Sequence, residues 1–302
     1  MKKLTRKDHI KLLTVLVAAL VFIVLLISFS KDARIPTWAD LFGLKTPDED
    51  ADYVRFIDVG QGDSILIYSN GMSAMIDFGD NVDDGADLIS SLRKYGIKKL
   101  DCMIITHYDA DHIGGADTVL EQLDVDNIIL PQRYEEDSFA LDEVDKAVAR
   151  SDAAVYDAEL GTKIYIGDFT LTIVAYYPDE ADTNERSIIV MAEMEGKKFL
   201  FTGDAASSVE KQMMEDEINL DCDVFKAGHH GSKYSNNLEF LQYVTPEYAV
   251  ISCGELNNYG HPHSEVLKNF NTVDATVFRT DIDGDITFYV EEGKLRVDTE
   301  YK

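Results

Sequence analysis

A chain of 302 residues, 45% of them hydrophobic, can bury the core of one large domain or of two ordinary ones. Its 56 acidic against 28 basic side chains give a formal charge of −28, which repels polyanions and anionic lipid surfaces, so bulk charge alone does not hold it to nucleic acid. Cys102, Cys222 and Cys253 sit in or beside apolar runs without short metal-type spacing, which argues against a disulfide framework or a zinc knuckle and for buried free thiols.

At the N-terminus, Lys2, Lys3, Arg6, Lys7 and Lys11 precede an uncharged apolar run of 18 residues, Leu12–Phe29, and Lys31 and Arg34 follow it. The run is long enough for one transmembrane helix, and the basic residues ahead of it keep the N-terminus cytoplasmic. Residues 1–34 are therefore expected to anchor the chain in the cell membrane as a single pass, with the rest extracytoplasmic. Ser28 and Ser30 make a cleaved signal peptide and a secreted product the alternative. Without residues 1–34 the formal charge is −33. Pro36, Pro47 and neighbouring acids mark residues 35–52 as a tether, so the folded domain is expected over 53–302.

Tyr53–Val59, Ser64–Tyr68 and Ser73–Asp77 alternate or run apolar and are punctuated by Gly60–Gly62 and Asn70-Gly71, which predicts an antiparallel meander. Helical spacing over Asp87–Tyr95, ended by Gly96, leads to a buried strand at Leu100–Thr106. Further strands are expected at Asn127–Leu130, Phe169–Ala175, Ser187–Met194, Lys198–Thr202, Val224–Ala227, Tyr248–Ser252 and Ile286–Val290. Helices are expected near Leu141–Arg150, Ala205–Glu215, Asn237–Tyr243 and Ser264–Phe270. Such mixing without an internal repeat indicates one α/β domain.

The run Thr106-His107-Tyr108-Asp109-Ala110-Asp111-His112-Ile113-Gly114-Gly115 puts four candidate ligands within six positions directly after an apolar strand. Imidazole and carboxylate are ligands for Zn, Mn and Fe, and adjacent residues of an irregular loop can face two different ions. Asp204 follows Lys198–Gly203, where a strand-end carboxylate could bridge two cations; its competing reading is a helix N-cap for Ala205 onward. His229 and His230 stand between Gly228 and Gly231 after another strand. One of them is expected as a ligand and the other as an acid, base or phosphate contact; His229 is taken as the ligand and His230 as catalytic, with the reverse equally open. His261, in Tyr259-Gly260-His261-Pro262-His263, is a candidate for holding a leaving group or substrate oxygen. Five of the seven histidines thus fall just past strand ends.

These motifs resemble the metallo-β-lactamase superfamily and, within it, the hydrolase-like domain of ComEC-type competence DNA-uptake proteins. The match runs through Phe56-Ile57-Asp58-Val59-Gly60-Gln61-Gly62-Asp63-Ser64, Met75-Ile76-Asp77-Phe78-Gly79, the His107–Gly115 loop, Thr202-Gly203-Asp204, His229-His230-Gly231-Ser232, Gly260-His261-Pro262 and Arg279–Gly284. The resemblance implies an αββα sandwich with two divalent metal ions at one edge, Asp204 bridging them and Asp77 supporting the metal loop. The ligands would be His107, Asp109, Asp111, His112, Asp204 and His229. Two positions depart from the superfamily: Asp109 replaces its usual second histidine, and Asn184 and Ser187, as in the ComEC pattern, stand where a further histidine is usual. Oxygen ligands there harden the first metal position and make Mn²⁺ a rival to Zn²⁺.

The reaction expected is hydrolysis of a phosphodiester, with Asp111, His230 and His261 as catalytic groups and the cations polarising water and ester. Single-stranded DNA is the first candidate substrate, approached through a local basic groove of Lys226, Lys233 and Arg186. A small phosphoester or cell-wall phosphorylcholine ester is the second, and a non-catalytic metal-binding assembly module the reading from another class. A separate channel protein is the expected partner.

Overall fold

A computed structural model describes residues 51–80, 85–133, 138–180 and 182–301. The expected transmembrane helix and nearly all of the tether lie outside the described residues, among which no helix is long and apolar enough to cross a membrane.

In β1 (Tyr53–Phe56), β2 (Ser64–Ser69) and β3 (Met72–Phe78), successive side chains go to different cores. Val54, Phe56, Ile65, Ile67, Ala74 and Ile76 share one apolar cluster, whereas Tyr53, Leu66, Tyr68 and Met75 share another, as the two-residue strand period requires. The three strands pair antiparallel in the expected meander. Asn70 and Gly71 both take positive φ, 50° and 78°, which turns the β2–β3 hairpin tightly.

The helix Ala86–Lys94 leads to β4 (Lys99–Leu100) and β5 (Cys102–Ile104), then to a one-turn helix Ala110–Ile113 and the helix Ala116–Gln122. After them come β6 (Asp124–Val125), β7 (Asn127–Leu130), the helix Phe139–Arg150 and β8 (Ala154–Asp157). The second half runs β9 (Lys163–Ile166), β10 (Phe169–Ala175), β11 (Ile189–Met194), β12 (Lys197–Phe201), β13 (Val224–Lys226), β14 (Tyr248–Ile251) and β15 (Thr276–Arg279). Helices Ser207–Glu215, Leu238–Val244 and Ser264–Thr272 alternate with the last four of these, before β16 (Ile286–Glu291) and β17 (Lys294–Thr299).

Among the described residues the strands form two large sheets, ordered β17-β16-β1-β2-β3-β5-β7-β8 and β15-β14-β13-β12-β11-β10-β9. Phe56 and Phe288 of the first sheet meet Phe169, Phe199 and Phe201 of the second in the core between them. The outer face of the first sheet packs on Leu88, Leu92, Val119, Leu141 and Val144 of its helices, and that of the second on Val209, Met213, Phe240, Leu241 and Phe270. This is the expected αββα sandwich. The three cysteines are free and buried, as expected, and burial pushes the thiols of Cys102 and Cys253 up to about 12 and that of Cys222 higher still.

β8, β9, β15 and β17 were not expected, because their side chains are exposed or alternate without a strong apolar face. The helix expected from Ala205 starts at Ser207 with Ala206 at its cap position, so Asp204 is not its N-cap.

Candidate metal centre

β3, β5 and β7 run parallel, as do β12 to β15. Their carboxyl ends therefore deliver loops to a shared rim, where open α/β sheets place ligands. Asp77 ends β3, His107 follows β5, Asp204 follows β12, His229 and His230 follow β13, and Ser252 follows β14. Two glycines permit the close approach. At Gly62 (φ +129°) a Cβ would meet the Asp111 carbonyl at 2.3 Å, and at Gly203 (φ +51°) it would meet Thr106 Oγ1 at 2.9 Å.

Two buried histidines are each held from behind by a buried carboxylate. His112 Nδ1 is 2.7 Å from Asp77 Oδ2, and Asp77 also accepts the Thr106 N–H (2.8 Å) and hydroxyl (2.7 Å). His230 Nδ1 is 3.2 Å from Asp63 Oδ1 and 3.1 Å from the Ser252 carbonyl, while Lys226 Nζ pairs with Asp63 Oδ2 at 2.8 Å. Engaging Nδ1 fixes each ring and leaves Nε2 for the interior of the site.

There, His112 Nε2 is 3.2 Å from Asp204 Oδ1, and His230 Nε2 is 3.1 Å from Asp111 Oδ2 and 3.5 Å from Asp204 Oδ2. The His107 ring lies 4.1 Å from that of His112, with Nε2 3.8 Å from Asp109 Oδ2. Ser187 Oγ sits 3.5 Å from His107 Nδ1, accepts the Asp204 N–H at 3.1 Å and donates to the Asn184 carbonyl at 2.8 Å. His229, partly exposed, has Nε2 3.7 Å from Asp204 Oδ2. The His261 ring lies 5.7 Å from His229 and 6.3 Å from His230. His107, Asp109, Asp111, His112, Asp204, His229, His230 and His261 thus come together at one rim, with Asp77 and Ser187 against them.

His107 Nε2, His112 Nε2, Asp204 Oδ1 and His230 Nε2 are buried and make no hydrogen bond of good geometry, although His112, Asp204 and His230 face one another at 3.2–3.5 Å. An unsatisfied buried polar atom costs about 1–3 kcal/mol, so four together call for a common partner. Two ligands each about 2.1 Å from a tetrahedral ion lie about 3.4 Å apart. The spacings of 3.1–3.5 Å among His112, His230, Asp111 and Asp204 have that size. The donor set fits a divalent cation.

Asp63, His112, Asp204 and His230 form a buried group whose ligand-type atoms lie within 4.8 Å of one another. Asp63 nevertheless faces Lys226 and the Nδ1 of His230, which makes it a support for that ring. Its contribution was missed in the sequence, although Asp63 stands in the Gly62-Asp63-Ser64 turn of a quoted motif. Lys226 requires a correction: its side chain is fully buried in the Asp63 pair and contributes nothing to a surface groove.

The electrostatics follow from burial and crowding. Burial works against both ions, yet His230 and His112 hold the Asp204 carboxyl well below the usual range, and Asp204 holds both imidazoles well above theirs. A potential that favours positive charge this strongly also favours a divalent cation, which takes the rings in their neutral form. Burial and neighbouring His112 push His107 down to about 3, and burial raises Asp109 to about 6.

The family model of the metallo-beta-lactamase superfamily matches residues 57–255. The chain belongs to the metallo-β-lactamase superfamily. Among curated relatives, ComE operon protein 3 of Bacillus subtilis is 32% identical over 254 residues, which cover 78% of this chain and 32% of that protein. Competence protein ComA of Neisseria gonorrhoeae is 29% identical over 245 residues, covering 79% and 32%. These superfamily relatives are of the ComEC type that the motifs implied, and the chain spans about a third of their length. Among solved structures, the diiron β-hydroxylase CmlA of Streptomyces venezuelae superposes with a TM-score of 0.52 at 11% identity. It covers 82% of this chain and 58% of that one, a likeness of fold alone.

Proposed function

We propose that this protein is a metal-dependent phosphodiester hydrolase with two divalent ions, Zn²⁺ or Mn²⁺, at the rim of the sandwich. The observation that carries the reading is the buried cluster in which Nε2 of His112 and of His230 meets the carboxylates of Asp111 and Asp204 at 3.1–3.5 Å, with the His107 ring 4.1 Å from that of His112. His112, His230, Asp111 and Asp204 would hold one ion; His107, Asp109 and the shared Asp204 would hold the other, with Asn184 and Ser187 bracing that side. Ions held by these residues would supply a lowered pKa for bound water and positive charge against the developing oxyanion of the ester.

The placement of His230, buried and backed by Asp63, supports it as the ligand, one of the two divisions that the sequence leaves open. His229, partly exposed beside Asp204, is then the group positioned to protonate a leaving oxygen. His261, which burial and its neighbouring imidazoles push down to about 4, presents a neutral ring to a substrate oxygen. Asp111 Oδ2, 3.1 Å from His230 Nε2, would share the same ion with that ring.

Single-stranded DNA is the substrate we favour over a small phosphoester or phosphorylcholine ester. One relative, from Neisseria gonorrhoeae, is named competence protein ComA, and one from Haemophilus influenzae recombination protein 2. An extracytoplasmic position on a single N-terminal span, beside a separate channel protein, belongs to the same proposal.

The test takes the purified full chain, its metal content by mass spectrometry, and turnover of a chromogenic phosphodiester and of single-stranded DNA beside Asp204→Asn. Metal-dependent turnover lost in the variant is the expected result. Tightly bound metal with no turnover of either substrate would overturn the hydrolase reading in favour of a binding module.

A further inference from the structure

A run of aromatic rings leads out of the metal centre to solvent. The His230 ring, 1% exposed, lies 6.3 Å from His261 at an interplanar angle of 29°. His261 in turn lies 5.5 Å from Tyr259 at 22°, and Tyr259 is 65% exposed. His261 is also edge-on to His229 at 5.7 Å and to His263 at 5.0 Å, so the exposed tyrosine caps a packed set of rings.

The loop that carries these rings is pinned. Asn257 accepts the His261 N–H at 2.9 Å and donates from Nδ2 to the carbonyls of His261 at 2.6 Å and Gly254 at 2.9 Å. On the far side of His263, the Lys233 N–H donates to His263 Nδ1 at 3.2 Å. The Lys233 ammonium stands 5.3 Å from the ring centre of Tyr234, which is 66% exposed. Exposed Tyr259 therefore borders the metal centre through His261, and Lys233 is tied to the same loop through His263.

Charge gives this chain little hold on a polyanion. The formal charge is −28, and Lys226, which backs the centre through Asp63, is buried in an ion pair. Binding of a nucleic-acid strand then needs a term that does not depend on phosphate attraction, and ring stacking supplies one, because every base has a π-face.

We propose that Tyr259 is a base-stacking residue: a nucleotide flanking the scissile phosphate lays its base on the exposed face of Tyr259, with Lys233 beside the adjoining backbone. The inference rests on the phosphodiesterase reading and adds which part of the substrate is recognised. It assigns unpaired nucleotides of any base as the ligand class. Duplex, whose bases are already stacked on one another, is disfavoured.

The test measures fluorescence anisotropy of the full-length Asp204→Asn protein with a labelled deoxythymidine octamer and with an octamer of abasic tetrahydrofuran units. Base stacking on one aromatic side chain predicts that the thymidine octamer binds roughly 5- to 100-fold tighter. Adding Tyr259→Ala should abolish the difference and leave abasic binding unchanged, whereas Tyr259→Trp should preserve it. Equal binding of the two octamers, or an equal loss for both in Tyr259→Ala, overturns the proposal. A base preference carried by Tyr259 in a protein that turns over no phosphodiester would leave stacking standing and remove the hydrolase reading. Turnover without base preference would do the reverse.

Discussion

Lys226 and Asp63 form a 2.8 Å ion pair with both side chains almost fully buried. Removing one member of such a pair strands a charge in the interior at a cost of about 3–5 kcal/mol. Lys226→Met should therefore lower unfolding free energy in urea by about that amount, and Lys226→Met with Asp63→Asn should recover much of it. The double variant should still bind metal weakly, because His230 has lost its carboxylate. A single variant as stable as the wild type would remove the argument.

Asp77 bears on the centre through His112 and through the N–H and hydroxyl of Thr106. Loss of a carboxylate behind a metal-binding imidazole typically weakens metal affinity about 10–100-fold. Asp77→Asn should show that loss in competition with a chromophoric chelator. Affinity within twofold of wild type would mean that Asp77 serves folding alone.

The two adjacent histidines should separate cleanly. His230→Asn is expected to lose one equivalent of bound metal, whereas His229→Asn should keep its metal and lose turnover by about 10²–10⁴, the usual worth of a general acid. Metal content by mass spectrometry decides the matter, and metal lost from the His229 variant alone would restore the opposite division.

Glu210 supports the same loop. It accepts the Asn236 N–H at 2.5 Å, and Asn236 exchanges 2.8 Å bonds with both backbone groups of Gly228. Burial pushes the Glu210 carboxyl from 4.5 up to about 7. Between those values the folded state keeps a proton that the unfolded state has released, so stability should fall as pH rises through the window. The span corresponds to about 3 kcal/mol at most. Glu210→Gln should lose that slope whatever constant offset the amide brings, as read from urea midpoints across the range. An unchanged slope would locate the titration elsewhere.

The fold was legible where side-chain periodicity is strong. β1 to β3 sort their residues into two cores at every second position, and the helix ending before Gly96 stops where glycine takes positive φ. The edge strands β8 and β17 were not legible, since a strand with one neighbour and exposed side chains carries no apolar alternation. The dense loop from His107 to His112 announced chemistry by composition. Asp63 did not, because its partners Lys226 and His230 are over 160 positions away and only tertiary folding brings them to it. The same distance misled the reading of Lys226: a lysine between apolar neighbours looks basic on paper, yet its charge is already neutralised inside.

The three sealed thiols have a practical consequence for handling this molecule. Held protonated far above neutral pH and out of reach of solvent, Cys102, Cys222 and Cys253 should ignore air and maleimide reagents while the fold holds. A cysteine introduced at an exposed position would then be the sole handle for a dye or spin label, and the native background would need no mutation.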